Sequence, residues 1–339
     1  MHRIRPRVAR PGDRTPGCLP LPYPRRPNGV RAGIGFRPVS DIVISARGVQ
    51  KSYGSNHVLQ GLNCEVGKGI TGLLGPNGAG KSTFMGLILG LRPRQGGKLK
   101  VLGVDPDRSG PELRTRLGYA PEHHDLPGDV QAADLVRHIA QLHGLPRRVA
   151  TERASNALWQ VGLGEERFRP IGTMSTGQRQ RVKMAQALAH DPDLLLLDEP
   201  TDGLDPVQRD DMLALIRRVG SEFGIDILLS SHLLEEVERV CDSVVILANG
   251  MVGHSGTLQD LGAAASGFKV ELDSDPEPLA AALVARGAAA AVDGHSLIVS
   301  GVDSASDLIR DLVADLGLGL RRLEPRRTTL EDVFIEASQ

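Results

Sequence analysis

The stretch GITGLLGPNGAGKST, residues 69–83, decides how the rest of the chain is read. It opens as an apolar strand and ends at a lysine that begins a helical pattern. Between the two, GPNGAGKS (Gly75 to Ser82) meets G-x-x-x-x-G-K-[ST] at every fixed position. Glycines at those places let the backbone fold around an anion with its N–H groups turned inward. The N-terminus of the following helix adds positive potential. The predicted phosphate cradle is Gly75, Pro76, Asn77, Gly78, Ala79, Gly80, Lys81, Ser82 and Thr83. Lys81 is expected to reach the β- and γ-phosphates, and Ser82 to offer its hydroxyl to Mg²⁺. A plain glycine-rich turn would not need a strand before it and a helix after it.

Outward from the cradle, further apolar runs have the character of buried parallel strands: LLLLD (194–198), IDILLSS (225–231) and SVVILANG (243–250). Helical patterns separate them, which predicts a parallel α/β sheet. Strands are also expected in DIVISARGVQKSYG from Asp41 and in LNCEV, and a helix from Lys81 to about Leu91. Residues 125–180 read as a helical insert, rich in Ala, Leu, Arg and Glu. From Phe268 the order is β-α-β-β-α-β, a ferredoxin-like arrangement. A last helix, TLEDVFIEAS, is capped by Thr329 and has Leu330, Val333 and Phe334 on one face.

LLLLDEP places Asp198 and Glu199 at the carboxyl end of a buried strand, where open α/β sheets bind ligands. Asp198 suits a Mg²⁺ role, direct or through water. Glu199 is placed to polarise an attacking water. His232 follows another strand of the same sheet and is expected to contact the γ-phosphate. The cradle motif alone leaves kinases, GTPases and transport ATPases open, although no Asn-Lys-x-Asp motif for guanine is present.

MSTGQRQR (Met174 to Arg181) narrows the choice. With GPNGAGKS, LLLLDEP, GLDP and SSH in this order, the chain resembles an ABC transporter nucleotide-binding domain over roughly residues 41–260. The resemblance implies a P-loop ABC-type ATPase fold with a helical subdomain, and ATP and Mg²⁺ as cofactors. It also implies that Ser175, Gly177 and Gln178 bind the γ-phosphate of ATP held by an opposite subunit, hence a homodimer. Thr176 stands where glycine is commoner. Tyr53 matches the aromatic that stacks on adenine, and Asp205 the loop that senses the other subunit. Glu122 stands where the family has a glutamine near the metal, as in exporter-like members. TLEDVFIEA resembles the ends of exporter ATPases whose permease is a separate gene product. The expected protein is therefore an ATPase powering transport, with export the expected direction, through a separate integral-membrane permease. A soluble ABC ATPase acting on ribosomes or nucleic acid is the alternative, disfavoured by a single phosphate motif and no sustained heptads.

Composition agrees with these expectations. A net charge of −1 over 339 residues does not point to a nucleic-acid binder. Three cysteines, Cys18, Cys64 and Cys241, without CxxC spacing fit a reducing cytosol. No run of about 18 apolar residues occurs, so no segment is expected to span a bilayer, and the resemblance implies a peripheral subunit at the cytoplasmic face of the membrane. Residues 1–40 hold nine arginines, eight prolines and one acidic residue, Asp13. They read either as a disordered basic arm or as an extension ahead of the true start, followed by the ATPase domain (41–260) and a small C-terminal accessory domain (261–339). His123, His124 and Asp125 are adjacent and read as a solvated loop rather than a metal site. His295 stands alone.

Overall fold

The computed structural model describes residues 42–123, 125–260, 266–294, 296–300, 305–327 and 330–338. The Arg/Pro-rich arm, Cys18, His124, His295 and the Thr329 cap lie outside them.

Among the described residues, three sheets organise the fold. The central one has six strands, in the order β5 (Leu117–Ala120), β6 (Leu194–Asp198), β7 (Asp226–Ser231), β3 (Ile70–Leu74), β8 (Ser243–Ala248) and β9 (Met251–Thr257). All neighbours are parallel except the β8–β9 pair. The apolar runs are continuous because these strands are buried on both faces, and their side chains alternate. Leu195 and Leu197 of β6, with Ile227 and Leu229 of β7, enter one core. Leu194 and Leu196, with Leu228, enter the other.

The first core lies under the helical insert, formed by α3 (Ala132–Leu142), α4 (Arg147–Gln160) and α5 (Thr176–Leu188), and under α6 (Pro206–Phe223). The second contains α1 (Lys81–Ile88) and a three-stranded antiparallel sheet of β2 (Asn56–Gly67), β1 (Ile42–Tyr53) and β4 (Gly96–Val101). Helix α1 ends at Ile88, a turn earlier than expected, and Gly90 then takes a left-handed φ of 63°. Helix α2 (Pro106–Arg114) follows β4, and α7 (Leu234–Val240) leads into β8.

The third sheet has the order β11 (Ala289–Asp293), β12 (Ser296–Ser300), β10 (Ser266–Leu272), β13 (Leu320–Arg327), every pair antiparallel. With α8 (Glu277–Ala285) and α9 (Ala305–Asp315) it forms the ferredoxin-like unit around a core of its own. The final helix, α10 (Leu330–Ser338), does not join that core. Its Leu330, Val333 and Phe334 pack into the first core of the central sheet, against β8, β9 and α7.

Candidate nucleotide site

Strand register gathers the site. Asp198 is paired with Ser230 across β6 and β7, and Leu74, the last residue before the cradle, is paired with Ser231. Three neighbouring strands therefore deliver the cradle, the two carboxylates and His232 to one edge of the sheet. There a cleft of about 660 Å³ is lined by Tyr53, most of the cradle, Glu122, Asp198, Glu199 and His232. Ser82 and Thr83 line it, while Gly75 and Ala79 form its buried backing.

Glycine is required at both ends of the cradle. A Cβ on Gly75 would stand 2.5 Å from the carbonyl oxygen of Leu247. At Gly80 φ is 107°, and a Cβ would meet Leu59 Cδ2 at 2.8 Å. Lys81 Nζ donates to the Gly75 carbonyl at 2.7 Å and lies 3.4 Å from Glu199 Oε1. Both charges are buried, so each depends on the other for compensation.

Glu199 adopts a left-handed φ of 46°, which for a non-glycine costs roughly 1–3 kcal/mol. Its N–H donates to Ser230 Oγ at 3.0 Å, and that hydroxyl donates to Asp198 Oδ1 at 2.6 Å. One buried serine thus fixes the strained backbone and aims the aspartate. The second carboxylate oxygen, Glu199 Oε2, lies 2.9 Å from His232 Nδ1. With the carboxylate ionised, Nδ1 carries the hydrogen.

Charge in the cleft is lopsided. Glu122, Asp198, Glu199 and Asp202 line it together with Lys81. The neighbouring phenol of Tyr119 is pushed up to about 12, by burial first and then by Asp198 and Glu122. A divalent cation beside Ser82 and Asp198 would offset that surplus, and Mg²⁺ commonly takes one or two protein ligands with phosphate oxygens completing its shell. Among the described residues no three of His, Cys, Asp and Glu converge as a metal cluster.

Tyr53 is half exposed, with Lys51 Nζ 5.1 Å and Arg92 Cζ 5.2 Å from its ring centre. Arg92 also donates to its hydroxyl. Glu122 pairs with His123 at 3.1 Å, and its carbonyl accepts from Lys183 Nζ of α5 at 2.8 Å.

Ser175, Gly177 and Gln178 lie elsewhere. Ser175 caps α5 in a capping box: its hydroxyl accepts from the Gln178 N–H at 3.2 Å, and the Gln178 side chain accepts from the Ser175 N–H at 3.1 Å. These residues line a depression of their own with Gln208, sharing no lining residue with the cleft. Asp205 caps α6, accepting from the Gln208 N–H at 2.8 Å, and lines neither. Sequence reasoning missed Ser230, Asp202, Asn56 and Val58. Only the first had a signal, as a polar residue inside an apolar strand run.

Comparison with known proteins agrees with this geometry. The family model described as ABC transporter matches residues 59–202. An uncharacterized ABC transporter ATP-binding protein of Bacillus subtilis, YdbJ, is 30% identical over 301 residues, covering 88% of this chain and 96% of the relative. This chain belongs to the ABC transporter ATP-binding proteins. Like its family, it carries an ATP-binding ABC domain and is of the ATPase class. Nod factor export ATP-binding protein I of Ralstonia nicotianae is 35% identical over 219 residues, 64% of this chain and 67% of that protein. Among solved structures, cbiO1 of Clostridium perfringens, part of the ABC transporter complex cbiONQ, aligns with a TM-score of 0.61 at 28% identity. That alignment covers 66% of this ABC protein and 92% of cbiO1. No described helix is long and apolar enough to cross a membrane.

Proposed function

We propose that the chain is the ATP-hydrolysing subunit of an ABC exporter, working at the cytoplasmic face of the membrane on a separate permease. The observation that carries this reading is the division of the site. The cradle and carboxylates occupy one cleft, and the Ser175 helix start occupies another. A helix N-terminus with N–H groups to offer suits an anion, yet none of its residues line the cleft that would hold the phosphates. Two copies set head to tail would bring each Ser175 turn onto the other's cradle and enclose two ATP molecules.

Within each copy, ATP's adenine would stack on Tyr53 and its phosphates would lie along residues 75–83. Ser82 and Asp198 would hold Mg²⁺, with Glu122 beside them. The ion would supply neutralisation of phosphate charge. Phosphates competing for Lys81 would draw it from Glu199, leaving the carboxylate free to orient a water. His232 would keep that carboxylate aligned and contact the γ-phosphate. Asp205 would report on the partner copy. Hydrolysis and product release would reopen the dimer and move the permease through the helical subdomain. Export rather than import is supported by the Nod factor export relative and by the TLEDVFIEA ending.

Glu199→Gln keeps the shape and removes the base. It is expected to bind ATP, lose about 10²–10⁴-fold in turnover, and accumulate an ATP-dependent dimer measurable by light scattering. Wild-type turnover in this variant would overturn the assignment of the base.

A further inference from the structure

Glu236 lies four residues past His232, on α7, and is 2% exposed. A carboxylate this deep is costly unless charge and hydrogen bonds compensate it. Its Oε2 accepts from Thr201 Oγ1 at 2.8 Å and from Ser231 Oγ at 2.8 Å. Its Oε1 faces Arg209 Nε at 3.4 Å, which supplies a countercharge. The two hydroxyl donors have telling positions. Thr201 is two residues past Glu199, and Ser231 immediately precedes His232. Ser231 Oγ also accepts from the Leu233 N–H at 3.0 Å, pinning the turn that carries His232.

With the Glu199–His232 contact at 2.9 Å, these bonds close a ring. It runs from Glu199 along the chain to Thr201, through Glu236 to Ser231, along the chain to His232, and back to Glu199. We propose that Glu236 is a positioning residue for ATP hydrolysis, one buried oxygen holding the turn of Glu199 and the turn of His232 in fixed relation. The proposal rests on the hydrolytic reading above, in which those two side chains align the water. Glu236 lines no part of the cleft, so it acts through them.

The test uses the full chain and three variants, Thr201→Val, Thr201→Ser and Glu236→Gln. Thr201→Val keeps volume and removes one donor. Its kcat is expected to fall roughly tenfold while the KM for ATP stays within about twofold, since small misplacement of reacting groups costs up to about 10²-fold. Thr201→Ser, which restores the hydroxyl, is expected to recover most of that loss, and Glu236→Gln to lose more than Thr201→Val. Hydrogen exchange on Glu236→Gln provides a readout independent of turnover: segments 199–204 and 230–234 should lose protection together, with strand 194–197 unchanged. Unaltered kcat in both Thr201→Val and Glu236→Gln would overturn the proposal. So would unaltered exchange in the two turns, or kcat, KM and Tm falling together without rescue by Thr201→Ser. If the wild-type chain hydrolysed no ATP, the hydrolytic reading would fail separately, and the exchange result would still decide whether Glu236 joins the turns.

Discussion

Glu199 holds two contacts at once, Lys81 at 3.4 Å and His232 at 2.9 Å, on a backbone that only its surroundings keep left-handed. The cradle is constrained in the same way. At Gly80 any side chain meets both a positive φ and Leu59. Gly80→Ala is expected to destabilise the fold by roughly 1–3 kcal/mol and to weaken nucleotide binding, checked by thermal melts and ATP titration. At this scale the sequence was readable wherever chemistry dictates residue type at fixed spacing: the glycines, Lys81, Asp198 and Glu199. Ser230 and Glu236 were not readable in the same way. The partners that tie them to the Glu199 turn, Asp198, Glu199 and Thr201, are 31 to 35 residues distant and are brought close only by the pairing of β6 with β7 and by the packing of α7.

Between elements, the helical insert meets the α/β body at a pair of stacked imidazoles. His143 caps the end of α3, and His190 follows α5, with ring centroids 3.7 Å apart and planes 4° from parallel. His190 Nε2 lies 2.9 Å from the Leu117 carbonyl. Burial, helped by the proximity of His143, holds His190 down to about 4, and burial also lowers His143. The folded chain keeps His190 neutral where the unfolded chain would protonate it, near pH 6.5. Its contribution is therefore present above about pH 6.5 and is lost as pH falls towards 4, an upper bound of about 3 kcal/mol. Tm measured from pH 7 to pH 5 should fall further for the wild type than for His190→Gln, which cannot titrate. Equal slopes would show that the pair does not set the acid sensitivity. The elements themselves were mostly legible, since continuous apolar runs belong to doubly buried strands. β4 was not. GGKLKV has no distinct pattern, because only Leu99 and Val101 face the core.

At the scale of the molecule, the C-terminal segment divides between two cores. Its sheet and two helices surround one of their own, and α10 returns to the central sheet beside α7, the helix that follows His232. The ferredoxin-like order was legible because each element has its own period. The destination of α10 was not, since an amphipathic face says that it packs and not on what. Leu330 is 3% exposed in the first core. Leu330→Ala is expected to cost about 2–5 kcal/mol, read as a lower denaturant midpoint for the ATPase body. A change confined to the C-terminal sheet would contradict this packing.

Whether the chain drives a separate membrane protein is decided by what it holds in the membrane. Tagged Glu199→Gln chain would be incubated with ATP in detergent-solubilised native membranes, recovered, and its partners identified by mass spectrometry. A polytopic membrane protein in near-stoichiometric amount is the expected recovery. Recovery of ribosomes, nucleic-acid complexes or other soluble partners alone would contradict it.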